Sequence, residues 1–206
     1  MELEKQWDRD LRIQTTGRDE ANADACHHPY EPTPYCVLER LADSGLIGGG
    51  DTVLDYGCGK GRVEFFLAHR TGARALGIEY DRRIYRTALE NKMTGAGASR
   101  VEFLLTGAET YQVPEAVNRC YFFNPFSVEI LRRVMARILA SYYDAPREVL
   151  LFFYYPSDEF VGYLMMVEEL EFYDEIECDD LFTADPRERI LIFRLPDYDP
   201  REEDLI

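Results

Sequence analysis

With 206 residues, 46% of them hydrophobic, the chain is long enough for one domain with a substantial core, since domains usually span about 50–250 residues. Its 39 acidic residues outweigh 23 basic ones, and the resulting net charge of −16 disfavours duplex DNA and long RNA as partners. Five cysteines (Cys26, Cys36, Cys58, Cys120, Cys178) without a C-x-x-C spacing argue against a disulfide framework or zinc site and fit the reduced thiols of a cytoplasmic protein.

The chain opens on the charged Met1-Glu2-Leu3-Glu4-Lys5, and no apolar run approaches the roughly 18 residues of a membrane span, so neither a leader nor a membrane partner is expected. Cys26-His27-His28 is a poor ligand set, because adjacent side chains diverge and only His69 remains elsewhere; no metal is expected. Acidic residues crowd 168–171, 175–180 and 197–204, which reads as a solvated face, with recognition of a basic partner as the alternative. Nothing in the pattern sets an oligomeric state.

Residues 1–50 form an N-terminal section. A polar stretch leads to the turn-prone Tyr30-Glu31-Pro32-Thr33-Pro34-Tyr35, followed by Val37, Leu38, Leu41 and Leu46 at roughly helical spacing. Thr33 before Pro34 predicts an N-cap with proline in the first helical position, and Gly48-Gly49-Gly50 ends the helix.

From residue 51 onward, strands and helices alternate. Strands are predicted at 52–56, 73–80, 101–105, 119–123 and the wholly apolar 149–155, with helices at 62–70, 83–92, 130–140 and 160–170. The pitch indicates a mainly parallel sheet with helices on both faces and a ligand at the strands' carboxyl ends. Strands at 171–177 and 190–195 are close enough in sequence to pair as an antiparallel hairpin.

The segment Val53-Leu54-Asp55-Tyr56-Gly57-Cys58-Gly59-Lys60-Gly61-Arg62 sets three glycines between a strand and a helix, where backbone N–H groups can cradle a small ligand. Glu79 follows about 20 residues later at a strand end, the position from which such folds grip ribose hydroxyls. Its alternative role, capping the next helix, falls more readily to Asp81.

Asp55-x-Gly57-x-Gly59-x-Gly61 followed by Gly77-Ile78-Glu79 resembles motifs I and II of class I S-adenosylmethionine (SAM)-dependent methyltransferases. A nicotinamide enzyme would instead use G-x-G-x-x-G, placing the third glycine at Arg62. The resemblance implies an α/β fold: a three-layer Rossmann-like sandwich around a mainly parallel seven-stranded sheet with its last strand antiparallel. Residues 1–50 would be a helical extension or lid over the cofactor, and 51–206 the SAM-binding core.

The same resemblance implies that Asp55 holds the methionine ammonium, Gly57 and Gly59 admit the methionine chain beside Cys58 and Gly61, Glu79 binds ribose and Tyr80 covers adenine. Where the family often has an Asp near the adenine amino group, this chain reads Thr106-Gly107-Ala108-Glu109; an Ala108 amide and Glu109 are the candidates instead.

Asn124-Pro125-Phe126-Ser127 is similar to the Asn/Asp-Pro-Pro-Tyr/Phe signature of amino-group methyltransferases, with one proline missing. By that likeness Asn124 orients the acceptor, Pro125 lends its carbonyl and Phe126 stacks; the competing reading is a strand-end turn with Phe126 in the core. Glu109, Tyr154 and Tyr155 are candidate bases, although the adjacent tyrosines cannot both face one site on a regular strand. The expected function is methyl transfer from SAM to an amino or amide nitrogen of a small molecule or protein. A catalytically silent SAM-binding sensor or partner subunit is the alternative.

Overall fold

A computed structural model describes residues 2–18, 30–182 and 185–197; Cys26, His27, His28 and the acidic stretch beyond Asp197 lie outside the described residues. Seven strands form one sheet: β1 (Thr52–Tyr56), β2 (Arg74–Glu79), β3 (Val101–Leu105), β4 (Arg119–Phe122), β5 (Val149–Tyr154), β6 (Glu171–Glu177) and β7 (Arg189–Leu195). Their order is β3-β2-β1-β4-β5-β7-β6, and β7 alone runs antiparallel to its neighbours. The order reverses between β1 and β4, which opens a crevice at the carboxyl ends of these strands.

Period-two alternation divides the core into two layers. Val53, Tyr121, Leu150, Phe152 and Tyr154 face one side, toward α2 (Tyr35–Asp43) and α3 (Arg62–Thr71). Leu54, Tyr56, Phe122, Leu151 and Phe153 face the other, toward α5 (Val128–Asp144) and α6 (Asp158–Leu164). On this second face Tyr56, Phe122 and Phe153 stack across adjacent strands at 4.7 and 4.5 Å, nearly parallel, and lock the register of β1, β4 and β5. Between β3 and β4 the chain crosses with only a 3-10 turn at Ala108–Thr110 and no α-helix.

The N-terminal section departs from expectation. The polar stretch contains a helix, α1 (Glu2–Leu11), whose apolar contact is carried mainly by Leu11 and by Trp7, edge-on to Phe66 at 4.9 Å. Polar contacts hold the rest. Arg62, 2% exposed, donates through Nε to Thr15 Oγ1 (2.7 Å) and through Nη1 to the Thr33 carbonyl (3.1 Å) and to Glu4. Its guanidinium lies over the Tyr35 ring at 4.2 Å, and the Tyr35 hydroxyl donates to Asp8 (2.7 Å).

Thr33 is not the N-cap of α2. Pro34 holds that position, Glu4 accepts the Tyr35 N–H at 3.0 Å, and Thr33 Oγ1 pairs with the Tyr121 hydroxyl at 3.0 Å. Among later elements, the helix predicted at 160–170 runs over Asp158–Leu164 and ends at Leu164, and Met165 and Met166 just beyond it are 64% and 81% exposed. α4 (Arg82–Thr94) starts from Asp81, whose side chain accepts the Arg83 and Ile84 N–H groups as expected of a cap. No helix among the described residues is long and apolar enough to cross a membrane, and no group of metal-binding side chains is assembled there.

Removing the buried guanidinium leaves Glu4 and Asp8 without their cation. Arg62→Ala should lower stability by about 3 kcal/mol in urea unfolding and expose the first helix to proteolysis. A loss within about 0.5 kcal/mol, the range of ordinary surface substitutions, would show that the N-terminal section is held by its apolar contacts instead.

Candidate active site

The carboxyl ends of β1, β2 and β4 bound a cleft of about 960 Å³, measured with its open mouth. Asp55, Gly57, Cys58, Glu79, Tyr80, Ala108, Glu109, Asn124, Pro125 and Phe126 all line it, so residues chosen from four separate segments meet at one place. Gly59 and Gly61 stand behind it.

The loop after β1 is tied down by its own backbone. Gly57 and Cys58 both donate to the Ile78 carbonyl at 3.0 Å, and the Gly61 N–H returns to the Cys58 carbonyl at 2.9 Å. Gly57 has φ +83°, and a Cβ there would stand 2.8 Å from the Pro125 Cβ, so the glycine lets the β4 loop approach. Gly59 has φ +57°, and the group that presses on it is the ring of Tyr30, which a Cβ would overlap. Gly61 caps α3 and is packed under Phe103 and Phe65. The close approach expected from a ligand at Gly59 is thus made by the protein's own N-terminal section.

Glu79 is 5% exposed and joins the two loops: Oε2 accepts the Gly59 N–H (3.0 Å) and Oε1 the Asp81 N–H (2.8 Å). Burial raises its pKa, against the lowering effect of these N–H groups. Asp55 is pushed up to about 8, first by burial and also by the charge of Glu79, while a hydrogen bond with Glu64 works in the lowering direction. Glu64, fully buried in the first turn of α3, lies well above the usual carboxylate range for the same leading cause. The cleft floor therefore concentrates acidic groups, and the nearby cation, Arg62, is engaged by Glu4 and Asp8.

On the β4 side, Asn124 adopts the left-handed conformation at φ +42°. Phe126 is 3% exposed and packs against Phe122 and Phe160, so its ring forms the wall, while the half-buried Phe123 beside it also lines the cleft. Tyr30, Pro32 and Thr33 line the opposite rim. The two candidate tyrosine bases are not brought in: Tyr154 donates to Glu188 (2.6 Å) and Tyr155 to Asp185 (2.7 Å), and neither lines the cleft. Sequence reasoning missed Arg62, Glu64 and Tyr121. A signal for Glu64 was present, since it is the one acid within the apolar run Val63-Glu64-Phe65-Phe66-Leu67.

No family model matches the chain. It is 29% identical over 109 residues to a ribosomal protein L11 methyltransferase of Xylella fastidiosa, covering 48% of this chain and 35% of that protein. It is 36% identical over 66 residues to a protein-lysine N-methyltransferase of Saccharolobus islandicus, covering 32% of this chain and 41% of the relative. The matches thus span less than half the length of these curated relatives. An RNA methyltransferase from Salinibacter ruber, solved with S-adenosyl-L-homocysteine, superposes with a TM-score of 0.59 at 18% identity, covering 82% of this chain and 97% of that one. The fold is that of Rossmann-like methyltransferases.

If Gly59 is there to seat Tyr30, Gly59→Ala should cost well over 1 kcal/mol, the left-handed penalty alone being about that size. In a Tyr30→Ala background the same change should cost only that penalty. Urea unfolding of the four proteins measures the coupling, and an equal cost in both backgrounds would contradict the packing assignment.

Proposed function

We propose that this chain transfers a methyl group from SAM to an amino or amide nitrogen of a small molecule or protein. The observation that carries the reading is convergence: the glycine loop, Glu79 and the Asn124-Pro125 turn share one cleft at the point where the strand order reverses. The donor set also fits the cofactor. Glu79 accepts backbone N–H groups on both oxygens and, with about four acceptor sites in all, keeps capacity for a ribose hydroxyl, and the acidic floor suits a ligand carrying an ammonium and a sulfonium.

In this reading Glu79 binds the ribose, Asp55 the ammonium, and Gly57 and Cys58 border the methionine chain, with Gly59 and Gly61 shaping the loop behind them. Tyr80 covers adenine, and the Ala108 amide and Glu109 meet its edge. Residues 1–50 act as a lid through Tyr30, Pro32 and Thr33. SAM supplies an electrophilic methyl on sulfur, and the protein's task is to align a nitrogen lone pair with it in a dry site. The Asn124 side-chain oxygen and the Pro125 carbonyl would accept the acceptor's N–H bonds and so fix its lone pair. Phe123 is the open ring for stacking, with Phe126 as backing. Glu109 is the remaining candidate base on the cleft wall. The −16 charge weighs against a long polyanionic acceptor, which supports the small molecule or protein class.

A screen of amines, peptides and proteins with methyl-labelled SAM identifies the acceptor. With it in hand, Asn124→Ala should keep SAM affinity within a few fold and slow single-turnover transfer by about 100-fold. Full transfer by folded Asn124→Ala would reject the catalytic assignment. Tight SAM binding with no transfer to any acceptor would favour the silent binding protein.

A further inference from the structure

Glu64 lies behind Asp55, out of the cleft. Gly77 of β2 is the register partner of Asp55 on β1, and the Glu64 carboxyl rests against Gly77, where a Cβ would collide with it. Gly77 thus makes the room that lets a third-residue helix side chain reach the sheet. Once there, neither Glu64 oxygen receives a well-formed hydrogen bond from a donor among the described residues. What faces it is the Asp55 carboxyl.

The other titratable groups around this pair are Glu79 from β2, Cys58 from the glycine loop, Tyr30 from the N-terminal section and Tyr121 from β4. Glu64's own N–H at the start of α3 is the remaining polar group near it. No cation faces the pair among these groups. Two carboxyl groups without a cation hydrogen-bond only when a proton lies between them, and a buried carboxylate with no partner costs several kcal/mol.

We propose that Glu64 is a positioning residue that retains a proton and donates it to Asp55, so that Asp55 alone ionises and is held toward the ammonium of the bound cofactor. The proposal rests on the reading of Asp55 as the ammonium's partner. Without ligand, burial favours the protonated form of both groups. Arrival of an ammonium stabilises ionised Asp55; the Asp55 proton leaves to solvent, and the Glu64 proton stays. The sign follows from linkage. Affinity contributed by this group rises with pH until Asp55 is ionised without ligand, near 8, and is flat above that.

Calorimetry with S-adenosylhomocysteine, which carries the same ammonium, tests this in buffers of different ionisation enthalpy between pH 6 and 8. Glu64→Gln keeps a donor for Asp55 but removes the second acid. Because Gln stands in for a Glu64 that keeps its proton, the wild-type protein and Glu64→Gln should release the same number of protons per ligand, up to one from Asp55, and their affinities should climb with pH in parallel, by up to about tenfold per unit. The comparison cancels titration of the ligand's own amine. Glu64→Leu, with no donor, should bind about tenfold more weakly than Glu64→Gln. Infrared difference spectra of the wild-type protein need no variant and should show one protonated carboxyl lost and one kept on binding. More proton release by the wild-type protein than by Glu64→Gln, or no protonated carboxyl in the complex, would overturn the role of Glu64 while leaving cofactor binding intact. No binding of S-adenosylhomocysteine to the wild-type protein would instead overturn the functional reading and this inference with it.

Discussion

Glu79 ends β2, and the hydrogen bonds its carboxylate accepts from Gly59 and Asp81 clamp together the two loops that define the cleft. The first bond fixes the glycine loop above β1; the second fixes the start of α4, where Asp81 can then cap the helix. A carboxylate serves here because it accepts on two separate oxygens at once. Burial disfavours the ionised form of Glu79, and of Asp55 and Glu64 beside it, so three acids stand close together at and behind the cleft wall.

The N-terminal section acts on the same loop from above. Arg62 begins α3 directly after Gly61, and through Glu4, Asp8, Thr15 and Thr33 it binds α1 and the entry to α2 to the base of the loop. Tyr30 completes the cover by lying on Gly59 and donating to the Thr15 carbonyl at 2.6 Å. The loop is thus held from below by Glu79 and from above by residues far away in sequence, which pre-organises its backbone before any ligand arrives.

The sheet was legible in the sequence because each strand of the core is short, apolar and bounded by turn residues; β1, β3 and β6 fall on the predicted residues, and the antiparallel hairpin of β6 and β7 followed from their closeness. The cleft membership of Asp55, Glu79 and Asn124 was legible from their places at strand ends. Three features escaped for physical reasons. α1 is held largely by polar contacts to Arg62, and its apolar face is only the narrow row Leu3, Trp7 and Leu11 in an otherwise charged segment. Thr33 satisfied the local rule for a cap, but its hydroxyl is taken by Tyr121, a partner set by tertiary contact. Glu64 sits on a buried helix face, and only the absence of a side chain at Gly77, on another strand, makes room for it.

The central claim is that one cleft holds the cofactor between Glu79 and Asn124. A crystal structure of the chain with S-adenosylhomocysteine tests it most directly. The account predicts ribose hydroxyls on Glu79, the ammonium at Asp55 and the sulfur turned toward Asn124-Pro125. A ligand bound elsewhere, or in this cleft with its sulfur turned away from Asn124, would contradict it.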